Sequence, residues 1–456
     1  MPLAIIVFIS LCGLLVAGKF ARLRIPLLQR LYLPSSIIGG AIGLAVLSAL
    51  GDRVDPEITG AMRKVPGFLI NVVFATLFLG TKLPSLKRVV SLAFPQLVLG
   101  QIMAWGQYVV GLGLAGFVLS RFCDVPPCFG NLLEVGFEGG HGTVGGMAES
   151  FAAAGWSDGA ALGFTVATVG MVVGIVVGMA LVNWAHRKGI VSEVVPFERR
   201  KIRERLGVHA RRTRPAAGFQ TVMSDSIDSL AWHLAIVGVS IAIGVGLLLL
   251  LRLTGWRVFH GFPLFPLCMI GGILLQLCAR AAKKDLMIDH GQMERISGAA
   301  LDFLVVSAVA TISLKVVAAH LVPLVALIVA GAAWSVFAVL WFGPRCMKEA
   351  WFERAIADFG QATGVTATGL MLLRTVDPDS KTCAAASFGY KQLLHEPFMG
   401  GGLWTAFAFT LVVEHDWLPV FLFSCVMLAL WIACSFFRIR LEVPHFPGPE
   451  NRHARG

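Results

Sequence analysis

Two glycine-rich strings hold the residues whose types and spacing could bind a ligand. The first reads Glu134-Val-Gly-Phe-Glu138-Gly139-Gly140-His141-Gly142-Thr143-Val-Gly145-Gly146, and the second Asp358-Phe-Gly360-Gln361-Ala-Thr363-Gly364-Val-Thr366-Ala-Thr368-Gly369. Clustered glycine unwinds a helix and leaves peptide groups free to face a cavity. A helix N-terminus freed in this way attracts a carboxylate, while freed carbonyls and threonine hydroxyls suit a hard cation such as Na+. Glycine strings in apolar surroundings also serve as packing surfaces; two strings that both carry polar residues favour binding. Glu138 and His141 flank glycines and are costly to bury, so they point to a water-filled cavity or an ion path. Glu134 and Glu149 read equally well as solvated residues at its mouth. Asp302 reads as a cation ligand or as an interfacial residue near the cytoplasmic end of its span. Arg374 and Asp377 read as solvated charges at the inner water boundary or as a substrate clamp.

Other patterns fail on context. Gly13-x-x-x-x-Gly18-Lys19 has the outline of a phosphate loop, but Phe20 stands where a hydroxyl is needed. Gly111-x-Gly113-x-x-Gly116 lies inside an apolar run with no strand before it. There is no HExxH or GxSxG, and no His/Cys or paired-carboxylate arrangement of the kind that breaks bonds. The nine cysteines are scattered without a CxxC pair, which argues against zinc; Cys123 and Cys128 share a loop and are two thiols or one disulfide. Binding without bond-making is the chemistry that remains.

The elements that position these strings follow from composition. Apolar residues make up 56% of the 456 and charged residues only 14%, too few to coat a soluble domain of this length. Fifty glycines and eleven tryptophans suit membrane helices that pack closely and anchor at headgroups. About 20 apolar residues cross a bilayer as a helix. That rule places spans near 2–18, 33–50, 66–82, 91–119 and 159–185, then near 229–251, 262–281, 297–314, 319–342, 393–413 and 417–437. The stretches 131–156 and 352–378, which contain the strings, are interrupted and make poor full spans.

The net charge of +11 resides in short loops between apolar runs, which signals membrane orientation and not a nucleic-acid partner. Lys19, Arg22 and Arg24 follow the first apolar run and none precede it, which predicts an uncleaved first span with its N-terminus outside. Lys82, Lys87 and Arg88, the central cluster Arg199, Arg200, Lys201, Arg203, Arg205, Arg211, Arg212 and Arg214, and finally Arg438 and Arg440 then fall on the cytoplasmic side. The first string should therefore dip in from outside and the second from the cytoplasm, so that their tips meet near the midplane.

The two halves echo each other. Pro34-Ser-Ser-Ile-Ile-Gly39-Gly40 is matched by Pro266-Leu-Cys-Met-Ile-Gly271-Gly272, and Lys82 and Lys315 close the next span at nearly one offset. An odd number of spans per half makes the repeats inverted. The expected fold is an all-α integral membrane protein of two inverted five-span repeats, each with a re-entrant hairpin, plus one extra C-terminal span. The expected parts are 1–186, a basic linker 187–228, 229–414, and a last span with its tail, 415–456.

On the Gly139-Gly140-His141-Gly142-Thr143 string, the spaced Gly360, Gly364, Thr366 and Thr368, the Pro34…Gly39-Gly40 opening and Lys315, the chain resembles the bacterial glutamate:sodium symporter family. The likeness follows span order over about residues 1–414 and is specific around the two strings. It implies an inner-membrane homodimer that works by an elevator motion and takes up L-glutamate with Na+, and not an enzyme. It implies no cofactor beyond the coupling ion. Gly140, His141, Gly142, Thr143, Gln361, Thr363, Gly364, Thr366 and Thr368 would bind the substrate; Glu138, Gly139, Asp358, Gly360 and Asp302 would bind Na+. The chain departs from the family at Asp358, where a His is familiar, at Ala367, where a Pro is, and at Glu138, where a small hydroxyl residue is. These changes of charge leave open another carboxylate, or protons as the driving ion; an ion channel is the remaining rival.

Overall fold

A computed structural model describes residues 2–31, 33–81, 86–123, 125–191, 202–209, 214, 216–256, 259, 262–378 and 381–436, and these contain no β-strand. Of the residues read as orientation signals, Lys82, Arg199, Arg200, Lys201, Arg211, Arg212, Arg438 and Arg440 lie outside the described residues. The helices that matter here are α1 (Leu3–Arg24), α2 (Ser35–Leu50), α3 (Pro56–Thr76), α4 (Leu86–Leu114), α5 (Leu132–Phe137), α6 (Gly140–Ala153) and α7 (Gly159–Arg187). After the linker come α8 (Ser229–Leu253), α9 (Phe265–Ala281), α10 (His290–Ala310), α11 (Leu321–Cys346), α12 (Trp351–Val376), α13 (Ala384–His395), α14 (Leu403–His415) and α15 (Trp417–Phe436).

Six helical stretches among the described residues are long and apolar enough to cross a membrane: Leu3–Arg24, Ala93–Phe122, Gly159–Arg187, Ser229–Leu253, Leu321–Cys346 and Trp417–Phe436. Phe8, Phe20, Leu249, Leu250, Val322, Val329, Val426 and Leu430 point outward from them, as side chains bathed in lipid do. The ends carry local stop and start signals. The Asp228 carboxylate accepts from the amides of Leu230 and Ala231 to start α8, Asp289 accepts from Gln292 to start α10, and Arg22 and Arg24 occupy the last turn of α1.

The matched Gly-Gly pairs make equivalent contacts. Gly39 of α2 lies against the backbone of Leu14 in α1, and Gly271 of α9 against the backbone of Ser240 in α8. Gly40 meets Val306 and Val309 of α10, the third helix of the other half; Gly272 meets Ala75 of α3, again the third helix of the other half. Only glycine lets helix backbones approach this closely. The C-terminal α15 packs along the Ala93–Phe122 stretch, where Trp417 covers Gly116 and Phe421 covers Gly113. Cys123 and Cys128 are both free thiols.

One expected span is interrupted. The run 393–413 is not one helix: α13 ends at His395, the chain turns through Glu396–Gly402, and α14 restarts at Leu403. Gly400 and Gly401 adopt φ of +65° and +105°, which L side chains rarely adopt, and Pro397 cannot donate a helical hydrogen bond.

Candidate functional site

Three backbone breaks converge on one buried point, and α7 is the platform beneath two of them. The first break separates α5 from α6 at Glu138-Gly139, with Gly140 at φ +67°. Both sides of it pack on α7: Gly136 lies against Val166, Phe137 against Gly170, and Leu132 and Val144 both against Gly163. The chain therefore runs along α7 to the level of Gly170 and back again. The second break lies inside α12, where Gly364 (φ −161°, ψ 37°) and Val365 (φ 65°, ψ 169°) are not helical. Gly360 touches Gly369 across that break, so the two sides of α12 also run beside each other. Thr363 sits on Gly170 and Gly174, and Leu372 on Gly178. The two broken segments thus approach from opposite ends of a 29-residue helix and meet at its middle, where the Val365 side chain rests on Gly140. A β-branched residue at positive φ is strained and persists only where its surroundings over-determine it.

The third break closes over the first. Gly400 packs on Glu138 and Gly401 on Thr143. The Gly400 amide and the Thr405 hydroxyl each donate to Glu134 Oε1 at 2.8 Å, and Tyr108 Oη donates to Glu134 Oε2 at 2.7 Å. A carboxylate with three donors and 0% exposure is a buried tether, not a residue at a solvated mouth.

Around this junction runs a chain of buried and part-buried polar groups. Gln96 donates to Asp358 Oδ1 at 3.2 Å, and Lys391 Nζ lies 3.6 Å from the same oxygen. Lys391 also donates to Gln361 Oε1, and Gln361 donates to Glu138 Oε1 at 3.4 Å. His395 Nε2 pairs with Glu138 Oε1, and the other ring nitrogen of His395 lies 3.2 Å from Gln101 Nε2. On the other side Thr366 donates to Glu396 Oε1 at 2.8 Å, while Gln392 donates to both, at 2.6 and 2.7 Å. Buried ions survive only when paired or hydrogen-bonded. Glu138 Oε2 and Asp358 Oδ2 nevertheless have no hydrogen-bond partner among the described residues. Two free carboxylate oxygens in a sealed polar centre suit a small cation.

The sequence-predicted residues divide accordingly. Glu138, Gly139, Gly140, Thr143, Asp358, Gln361, Gly364 and Thr366 come together at the junction. Thr143 donates to the Gly139 carbonyl at 2.9 Å, and Thr368 to the carbonyl of Gly364. His141 turns to α7, where Nε2 is 2.9 Å from Thr168 Oγ1; Gly142 faces Ile70 of α3; Thr363 donates to Phe359 at 2.7 Å and faces α7; Gly360 packs inside α12. Asp302 is exposed on α10, near the middle of that 21-residue helix and not near its end. No hydrogen bond or ion pair described joins it to the junction. Sequence reasoning missed the whole of α13, which delivers Lys391, Gln392 and His395, and missed Tyr108 and the glutamines of α4. A single lysine in an otherwise apolar segment, and Glu396-Pro397 followed by Gly400-Gly401-Gly402, were the signals that could have found them.

A cavity of about 790 Å3 adjoins α13, lined among others by Gly80, Thr81, Gln276, Asp289, His290, Gly389 and Tyr390. It opens at the end of the bundle where α10 begins.

A bundle of apolar helices enclosing a polar centre built at backbone breaks is a multi-pass helical membrane protein, organised to bind a polar solute away from lipid. Residues 3–364 match the model of the sodium/glutamate symporter family, and the chain belongs to that family. The protein is therefore a transporter of a family that moves glutamate with Na+ as the coupling ion. Neither the curated proteins nor the solved structures contain a match.

Proposed function

We propose that this chain carries L-glutamate, or a closely similar anionic amino acid, together with Na+ across a bacterial inner membrane by alternating access of the elevator type. The observation that carries the reading is the contact of Val365 with Gly140, the point at which two broken segments from opposite ends of α7 abut. Each segment is read as a re-entrant hairpin, and the halves 1–186 and 229–414 as inverted repeats. The equivalent contacts of Gly39-Gly40 and Gly271-Gly272 support that symmetry. Amides at the start of α6 and beyond Gly364, with the hydroxyls of Thr143 and Thr366, would hold the substrate carboxylates. Glu138 and Asp358 would hold the cation through their free oxygens. Of the residues first assigned to these roles, Asp302 has the least support, because it is exposed and apart from the junction.

Filling anion and cation sites together neutralises charge before the loaded unit crosses apolar surroundings, which is the physical basis of coupling. The cytoplasmic loops assigned from lysine and arginine place the α10 end inward, so the cavity beside Tyr390 would be the inner approach to the site. The test is uptake of labelled L-glutamate into proteoliposomes, with Na+ and H+ gradients imposed separately. Concentrative uptake driven by Na+ is expected. Uptake driven only by H+ would move the coupling to protons, flux that never exceeds equilibrium would make the protein a channel, and absence of uptake under either gradient would reject the substrate.

A further inference from the structure

The family match ends at Gly364, at the second break itself. Both carboxylates proposed to hold the coupling ion, Glu138 and Asp358, lie within the matched residues. The ammonium that ion-pairs with Asp358 does not: Lys391 comes from α13, beyond the match. Its side chain is 1% exposed. It bridges Asp358 Oδ1 and Gln361 Oε1, and through Gln361 it reaches Glu138, within coulombic range. Gly100 of α4 makes room for it, since a Cβ there would sit 2.8 Å from Nζ. The charged or titratable groups around it are Asp358 and Arg354 of α12, Glu138 of the first break, His395 of α13 and Glu396 of the third break. The elements packed on α13 thus offer an ammonium a seat bounded by carboxylate and amide oxygens, which is the donor set a hard monovalent cation also prefers.

We propose that the Lys391 ammonium is a tethered counter-cation that stands in for one coupling ion at the Asp358–Glu138 centre. The chain then binds one Na+ fewer than the same site would without the lysine. This rests on the proposed reading of the site as a cation-coupled carrier and specifies its ion requirement. Removing the tether should leave the Asp358–Glu138 centre one positive charge short, a deficit that an added cation can fill. Removing the carboxylate should leave the ammonium to compete at Glu138.

The experiment is a Na+ titration of thermal stability on purified full-length protein without substrate, with choline at equal ionic strength as the control. Wild type, Lys391→Arg, Lys391→Met, Lys391→Gln and Asp358→Asn are compared. Lys391→Met should lower the Na+ concentration for half-maximal stabilisation at least fivefold, and Lys391→Arg should behave as wild type. Asp358→Asn should raise it at least fivefold, and Lys391→Gln, which keeps a polar group in the seat, should repeat the fall where Lys391→Met does not yield folded protein. Unchanged Na+ responses in the folded variants, or shifts of the same sign in Lys391→Met and Asp358→Asn, would overturn the proposal. The titration contains no substrate, so failure of wild-type glutamate uptake would remove the substrate assignment alone. Intact Na+-driven uptake with unchanged titrations would remove the role of Lys391 alone.

Discussion

Gly140→Ala is the substitution that most directly asks whether the two broken segments touch. Gly140 is at φ +67°, where an alanine costs about 1–2 kcal/mol of backbone strain. Its new Cβ would also land on Cγ1 of Val365. Forcing one extra carbon into a packed contact costs about 1–3 kcal/mol, so the total is about 2–5 kcal/mol. Val365→Ala removes the obstructing methyl groups, and only the backbone strain should then remain. The double variant is therefore expected to be more stable than the sum of the two single effects by about 1–3 kcal/mol, well beyond the ~0.5 kcal/mol scatter of independent sites. Unfolding of the purified protein by SDS titration gives the three free energies, and glutamate uptake by the same variants shows whether the junction bears on transport. Additive energies would mean that residues 140 and 365 do not meet, and the binding centre argued from their contact would have to be abandoned.

Further expectations are narrower. Glu134→Ala leaves the Tyr108 and Thr405 hydroxyls and the Gly400 amide without their acceptor, which should destabilise the fold by roughly 3 kcal/mol or more; SDS unfolding measures this, and a loss under 1 kcal/mol would show that the tether is idle. Gly360→Ala places a Cβ 2.6 Å from Gly369 Cα and should cost about 1–3 kcal/mol in the same assay; a neutral substitution would mean the two sides of α12 are not in contact. Thr366→Ala removes a hydroxyl bonded to Glu396 and Gln392, worth about 1 kcal/mol. It should raise the substrate concentration for half-maximal uptake roughly fivefold without lowering the yield of folded protein, and unchanged uptake kinetics would take Thr366 out of the site.

Much of this architecture was legible because membrane helices declare themselves locally. The apolar runs near 159–185, 229–251, 319–342 and 417–437 became α7, α8, α11 and α15 with small shifts at their ends, and both glycine strings became breaks. The Gly-Gly echo was legible for the same reason, since a missing side chain marks a close approach in any context. What stayed hidden depends on distant pairs. His395 meets Glu138 across 257 positions, and Gln96 meets Asp358 across 262; no spacing rule joins residues so far apart. Glu134 stayed open between cavity and mouth for that reason: alone it is a costly charge best left in water, and only the donors from α4, the third break and α14 make its burial tolerable. The interruption at Glu396–Gly402 was visible as proline and glycine, but the apolar residues on either side outweighed them.

The Gly39-Gly40 and Gly271-Gly272 contacts have a mechanical consequence. Helices held backbone to backbone at Gly39, Gly271 and Gly272, with the Val309 side chain seated on Gly40, cannot slip past one another without lifting apart. The first three helices of the two halves are thereby cross-braced into a single stiff frame. Any travel that carries a solute must be taken up at a different seam.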